Sequence, residues 1–222
     1  MIMKFEAVLF DCDGVLVDSE PITNGVLRDM LAERGWVLTV AQCMQQFVGK
    51  AVKDEAELIA QRTGEPVTEA WLEAFRERRN TALLAGVTTI ANVRHAVRDV
   101  HSHYGARMAC ASGADRFKVE LMLRKLELID YFDGRVFSGY ETPRSKPFPD
   151  VYLAAAAALG VDPQRCAVVE DTVPGVTAGV AAGATVFAYL PASTLHVDAA
   201  ALRQAGARHV FADMAELPAL VG

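Results

Sequence analysis

Apolar and polar positions follow two different rhythms along this chain. Within the run from Phe5 to Phe10, Ala7, Val8, Leu9 and Phe10 are continuously apolar instead of alternating, which predicts a central parallel strand covered on both faces. Residues 20–84 then carry helical periodicity with no convincing strand. Pro21 suits a first helical turn, Gly35 a helix end, and Thr39 with Gln42 has capping-box spacing. Two further helices are predicted over 54–62 and 68–84; in the second, Trp71, Leu72 and Phe75 share one side that should be buried.

After residue 85 helices and short apolar strands alternate. Helices are predicted over 88–101, 115–127, 150–159 (closed by Gly160) and 173–182, and strands over 107–111, 135–139, 167–169, 185–189 and 209–211. This is the rhythm of right-handed βαβ units. The predicted fold class is therefore α/β: a Rossmann-like parallel sheet flanked by helices, formed by residues 1–16 and 85–222, with an inserted helical domain over 17–84.

Composition narrows the partners. At 222 residues, with 52% hydrophobic and 23% charged residues, the chain can bury a sizeable core. A net charge of -6 and a pI near 5.4 argue against a sequence-independent hold on nucleic acid, which needs a basic surface. Asp, Gly or Pro interrupts every apolar run before it reaches membrane-spanning length. Cys12, Cys43, Cys110 and Cys166 form no C-x-x-C pair and no zinc spacing, and no signal-peptide pattern opens the chain. The expectation is a soluble, cytoplasmic protein with free thiols, monomeric or weakly dimeric, with no nucleic-acid or membrane partner.

Candidate chemistry gathers at the predicted strand ends, where open α/β sheets bind ligands. Asp11 and Asp13 follow the first strand, Ser112 and Gly113 the second, Lys146 the loop after the third, and Glu170 and Asp171 the fourth. Asp11, Asp13 or Gly14 taken alone reads more readily as part of a strand-closing turn. Together, carboxylates and a lysine suit Mg²⁺, a hard cation that takes oxygen ligands and a substrate phosphate. The lysine and the hydroxyl suit the phosphoryl oxygens. One carboxylate can attack phosphorus and form an aspartyl-phosphate, while another moves the proton of the leaving oxygen and then of water.

Four segments carry a family resemblance: Asp11-Cys12-Asp13-Gly14-Val15-Leu16-Val17-Asp18-Ser19, Ala111-Ser112-Gly113, Ser145-Lys146-Pro147 and Val169-Glu170-Asp171-Thr172. In this order the chain resembles the haloacid dehalogenase superfamily, in the branch of β-phosphoglucomutase and sugar-phosphate phosphatases. The resemblance implies Asp11 as nucleophile and Mg²⁺ ligand, and Asp13 as general acid/base that also offers its carbonyl to the metal. It implies Ser112, Gly113 and Lys146 as phosphate-binding positions, Glu170 and Asp171 as the acidic metal motif, and the helical insert as a mobile cap. Lys50 and Lys53 are cap candidates for a second substrate group. The implied activity is hydrolysis of a small phosphorylated metabolite, a sugar phosphate or a sugar acid such as 6-phosphogluconate. The mutase has a histidine where this chain has Thr23, which favours a hydrolase over a phosphosugar mutase; a non-catalytic phosphosugar-binding protein would not need both Asp11 and Asp13.

Three other patterns carry less. Cys110 to Arg116 fits C-x-x-G-x-x-R, the loop of cysteine-dependent phosphatases, but Asp115 opposes an anion cradle and Cys110 falls in a strand. Gly175, Gly179 and Gly183 recur every four residues, read as a bare helix face packed on the sheet. His95, His101, His103, His196 and His209 show no ligand spacing and receive no role.

Overall fold

A computed structural model describes residues 5–194 and 197–222; residues 1–4 of the expected core segment and His196 lie outside the described residues. The chain opens with β1 (Ala7–Phe10) and β2 (Val17–Asp18), then runs through α1 (Glu20–Glu33), α2 (Val40–Phe47), α3 (Ala56–Thr63) and α4 (Glu69–Gly86). It continues with β3 (Thr88–Thr89), α5 (Val93–Tyr104), β4 (Met108–Ser112), α6 (Arg116–Lys125), β5 (Val136–Ser138) and α7 (Asp150–Leu159). Last come β6 (Cys166–Glu170), α8 (Val173–Ala181), β7 (Thr185–Tyr189), α9 (Ala199–Gln204), β8 (His209–Phe211) and α10 (Leu217–Val221). No described helix is long and apolar enough to cross a membrane.

The chain divides into two compact units, residues 1–18 with 88–222, and residues 19–87. The first holds a six-stranded sheet in the order β5-β4-β1-β6-β7-β8, parallel throughout. Every residue of β1, β4 and β6 is buried, as a central parallel strand requires once helices cover both faces. The chain steps outward from β1 through β4 to β5 and resumes on the other side of β1 with β6, so the strand order reverses between β1 and β6. Their carboxyl ends flank the crevice such a reversal opens.

The second unit is built from α1 to α4 around Leu27, Met30, Leu31, Cys43, Phe47, Ile59, Trp71 and Phe75. Thr39 and Gln42 form the expected capping box, Thr68 caps α4 by accepting from the Trp71 N–H, and the Trp71 and Phe75 rings stack in this core. Leu72 packs against it half-buried.

One expected element is different. A helix is predicted from residue 88, yet Thr88 and Thr89 pair antiparallel with Asp18 and Val17, and α5 starts only at Val93, after Asn92 in a left-handed conformation. The reason is tertiary. Neither dipeptide makes a strand alone; they form a ribbon because the chain leaves the first unit after Asp18 and re-enters it at Thr88.

Of the Gly175, Gly179 and Gly183 repeat, the first two form the expected bare face on the sheet and the third does not. Gly179 does pack on the sheet, where a Cβ would stand 2.8 Å from Val186 Cγ2 and 3.1 Å from Val168 Cγ1. Gly183 instead supplies the left-handed turn after α8 (φ 91°), its N–H donating to Val180 O. Gly175 faces a carboxylate. Gly179→Val should overpack the α8–sheet contact and lower stability by about 1–3 kcal/mol. Thermal unfolding would register this as a fall of several degrees, while Ala at the exposed and unobstructed Gly64 in a left-handed turn tests backbone strain alone.

Candidate active site

The site grows from the end of β1. The Asp11 N–H donates to Val169 O at 2.9 Å, carrying the strand ladder one residue further and holding Asp11 beside β6. Beyond it the chain turns, with Gly14 N–H donating to Val17 O and the Leu16 and Val17 N–H groups to Cys12 O. Gly14 has φ 78°, and a Cβ there would lie 2.0 Å from Asp171 Oδ2. Only glycine allows both the turn and this approach of Asp171.

Asp11, Glu170 and Asp171 are all buried, with one carboxylate oxygen of each within 4.8 Å of the others. The Lys146 side chain, 7% exposed, donates to Asp11 Oδ1 and to Glu170 Oε1, both at 2.7 Å. Its ammonium stands 4.8 Å from the centre of the Tyr152 ring, whose hydroxyl donates to Glu170 Oε1 at 2.8 Å. The Asp171 and Thr172 N–H groups and the Thr172 hydroxyl donate to Glu170 Oε2 at 2.9, 3.2 and 3.2 Å.

The two carboxylates on Lys146 therefore differ. Burial raises Glu170, but Lys146 and the donors around it hold its carboxyl below the usual range. Asp11 takes a hydrogen bond from Lys146; burial, with Glu170 and Asp13 adding to it, pushes its carboxyl up to about 7 against the opposing pull of that lysine. Burial opposes the charge on Lys146 too, yet Asp11 and Glu170 keep it an ammonium well above its ordinary range. One cation among three buried carboxylates leaves negative charge unbalanced. The all-oxygen donor set fits a hard divalent cation.

Ser112 and Gly113 lie on the other side of β1. The Ser112 hydroxyl accepts from the Ala114 N–H at 3.1 Å, and a Cβ on Gly113 would touch Lys146 Cδ at 3.9 Å, so this turn borders the lysine. Two ion pairs brace its surroundings. Arg116 grips both Glu141 oxygens, and Arg144 grips both oxygens of Asp150 at the start of α7. Asp13 is not in the three-carboxylate group; its Oδ1 meets the Lys118 ammonium at 2.6 Å. In the helical unit Lys50 pairs with Glu55 at 3.3 Å, and Lys53 sits in a single 3₁₀ turn, Val52–Glu55.

Residues 5–183 match the family model of haloacid dehalogenase-like hydrolases. The chain belongs to that family. Among curated relatives of this hydrolase, 6-phosphogluconate phosphatase of Escherichia coli K12 is 32% identical over 184 residues, 83% of this chain and 82% of that one. Hexitol phosphatase B of the same strain is 32% identical over 178 residues, 79% of each chain. A hydrolase of the family from Deinococcus radiodurans R1, solved with bound phosphate and sodium, is 35% identical with a TM-score of 0.77, covering 97% of this chain and 94% of that one. A structure described as a putative β-phosphoglucomutase from Thermotoga maritima is 27% identical with a TM-score of 0.75, covering 97% of each chain. Family and relatives together place the chain among phosphoric monoester hydrolases.

The geometry disposes of the cysteine-phosphatase pattern. Cys110 is a fully buried residue of β4 beside Cys12, Asp115 is spent capping α6, and Arg116 is committed to Glu141. Sequence reasoning assigned no site role to Lys118, Tyr152, Thr172 or the Arg116–Glu141 brace. A signal existed for Lys118, a cation in line with the buried Val119, Met122 and Leu123 of α6. Tyr152 gave none, because an aromatic in an alanine-rich helix reads as core.

Gly175 faces Glu170 so closely that a Cβ would fall 1.8 Å from Oε1. Gly175→Ala should displace Glu170, free one end of Lys146 and cut turnover at least about tenfold through misplacement of the lysine; phosphate release by the purified variant measures it. A second expectation concerns acid. Hydrogen bonds from Arg116 hold the Glu141 carboxyl below its usual range. A depressed folded pKa stabilises above the unfolded value and loses that contribution as pH falls through the folded one. Glu141→Gln should thus melt slightly below wild type at pH 7, and the gap should close in strong acid.

Proposed function

We propose that this chain is a Mg²⁺-dependent phosphatase of small phosphorylated metabolites, acting through an aspartyl-phosphate on Asp11. The observation that carries the reading is the buried Asp11 carboxylate, tied by Oδ1 to Lys146 and grouped with Glu170 and Asp171. Asp11, Glu170 and Asp171 would hold the cation, with the Asp13 carbonyl as a further ligand suggested by the family pattern. A divalent cation there supplies compensation for phosphoryl charge and for the carboxylates themselves.

The chain's own residues do the rest. Lys146, with the Ser112 hydroxyl and the Gly113 backbone, holds the phosphoryl oxygens of the substrate. Asp11 attacks phosphorus; the bond from phosphorus to the ester oxygen breaks, and Asp13 gives that oxygen its proton. Asp13, now a carboxylate, takes a proton from water, whose oxygen attacks phosphorus and releases Asp11 and inorganic phosphate. One proton has passed through Asp13 and one water is consumed.

For the substrate we propose a sugar phosphate or phosphorylated sugar acid, 6-phosphogluconate first. The support is the similarity to a 6-phosphogluconate phosphatase and a hexitol phosphatase. Lys50 and Lys53 are proposed contacts for a second polar group. The similarity to a putative β-phosphoglucomutase keeps a mutase as the second reading, against which Thr23 stands in place of histidine.

The purified protein should release inorganic phosphate from 6-phosphogluconate or a hexitol phosphate, lose turnover in EDTA and regain it with Mg²⁺. A mutase would return phosphate on an isomerised sugar. Asp11→Asn should lower kcat more than about 10³-fold with an unchanged circular dichroism spectrum. Asp13→Asn should cost about 10²–10⁴-fold, most with poor leaving groups. Wild-type-like turnover by Asp11→Asn would overturn the mechanism.

A further inference from the structure

The contact between Lys118 and Asp13 costs the fold something. The Lys118 side chain is only 6% exposed and that of Asp13 13%, so both charges give up most of their water. Lys118 is also the third residue of α6, and its N–H donates to the capping carboxylate of Asp115 at 2.9 Å. That places a cation in a first helical turn, where the aligned peptide dipoles favour anions. A lysine in such a position is stabilised by what its ammonium reaches, and it reaches Asp13 Oδ1 at 2.6 Å, 105 residues away in sequence.

We infer that Lys118 is a positioning residue for Asp13, fixing one oxygen of its carboxylate so that the side chain stays aligned on the oxygen of the scissile bond. The inference rests on Asp13 being the proton carrier of the proposed function. A short carboxylate side chain has two soft torsions, and proton transfer requires hydrogen-bond reach to the reacting oxygen. An ion pair to a lysine anchored in a capped helix restricts both torsions. Lys146 serves a different group: it bonds Asp11 and Glu170, so the two lysines divide the acids between a phosphoryl side and a proton side.

The consequence is specific to the proton-transfer step. Lys118→Met should lower kcat about 10- to 100-fold for whichever of 6-phosphogluconate and a hexitol phosphate is turned over faster, since misplacing a catalytic group by an ångström costs about that much. KM should move less than about threefold, because Lys118 does not hold the phosphoryl group. In kcat/KM, which reports only the steps through formation of the aspartyl-phosphate, the loss with 4-nitrophenyl phosphate, whose leaving oxygen needs little protonation, should be under about threefold. Lys118→Arg should recover most of the lost kcat. Adding Lys118→Met to Asp13→Asn should change kcat by less than about twofold beyond Asp13→Asn alone, as for two residues acting as one unit.

Equal losses of kcat/KM on both substrates, a multiplicative double variant, or wild-type kcat in Lys118→Met would each overturn the inference. If Lys118→Met does not give a cooperative thermal transition, Lys118→Gln decides by the same comparisons. Asp11→Asn run in parallel separates the two levels: its activity sinks the proposed mechanism, whereas an inactive Asp11→Asn with a uniform Lys118 effect sinks only the positioning role.

Discussion

Three carboxylates and one lysine, all taken out of water at the same strand ends, are the constraint on which the rest of this molecule depends. Unpaired, each buried charge would cost several kcal/mol. Lys146 bridges two of the carboxylates and keeps its charge because it does, while Glu170 is held by five donated hydrogen bonds, counting Lys146, Tyr152, Thr172 twice and the Asp171 N–H. Asp11 lacks that company, and its raised pKa reflects the difference. The same charge imbalance suits the group to a hard cation, which would bring the compensating positive charge. Glu170 is the tightly anchored carboxylate of the group, and Asp11 the less well compensated one.

Holding four such groups together requires backbone to come unusually near to side chain. Gly14 lets the turn after β1 touch Asp171, and Gly175 lets the first turn of α8 touch Glu170. The N–H groups of Asp171 and Thr172 at the start of α8 then solvate Glu170 in place of water. Around the lysine, the Arg116–Glu141 and Arg144–Asp150 pairs tie down the loop that carries it. These exposed pairs add little stability by themselves. Their effect is local: the loop has no regular structure to hold Lys146 in place, and they restrict it on both sides.

Much of this was legible in the chain. The continuous apolar runs at β1, β4 and β6 announced buried parallel strands, because two covered faces leave no polar position to alternate with. Capping chemistry located a helix start to the residue at Thr39, since an N-cap is a local contact between neighbours in sequence. Asp11, Glu170, Asp171 and Lys146 were recoverable because parallel topology alone carries strand ends to one edge, whatever the side chains do there. The ribbon of Val17–Asp18 with Thr88–Thr89 was not, as its two halves gain order only from each other across the helical unit of residues 19–87.

What the sequence by itself determined is the six strands of the sheet and the main helices, the direction of the strands and the identity of the acids and lysine at their ends. Those follow from period, capping and connection, all of which act over a few residues or through topology. The tertiary structure alone decided which charge meets which. It sent Lys146 to Asp11 and Glu170, Lys118 to Asp13 and Tyr152 to Glu170, pairings that span 18 to 135 residues. It also gave the third of three evenly spaced glycines a task of its own. A side chain's partner depends on where burial removes water and which opposite charge is within reach, and neither is set until the sheet and its helices have packed.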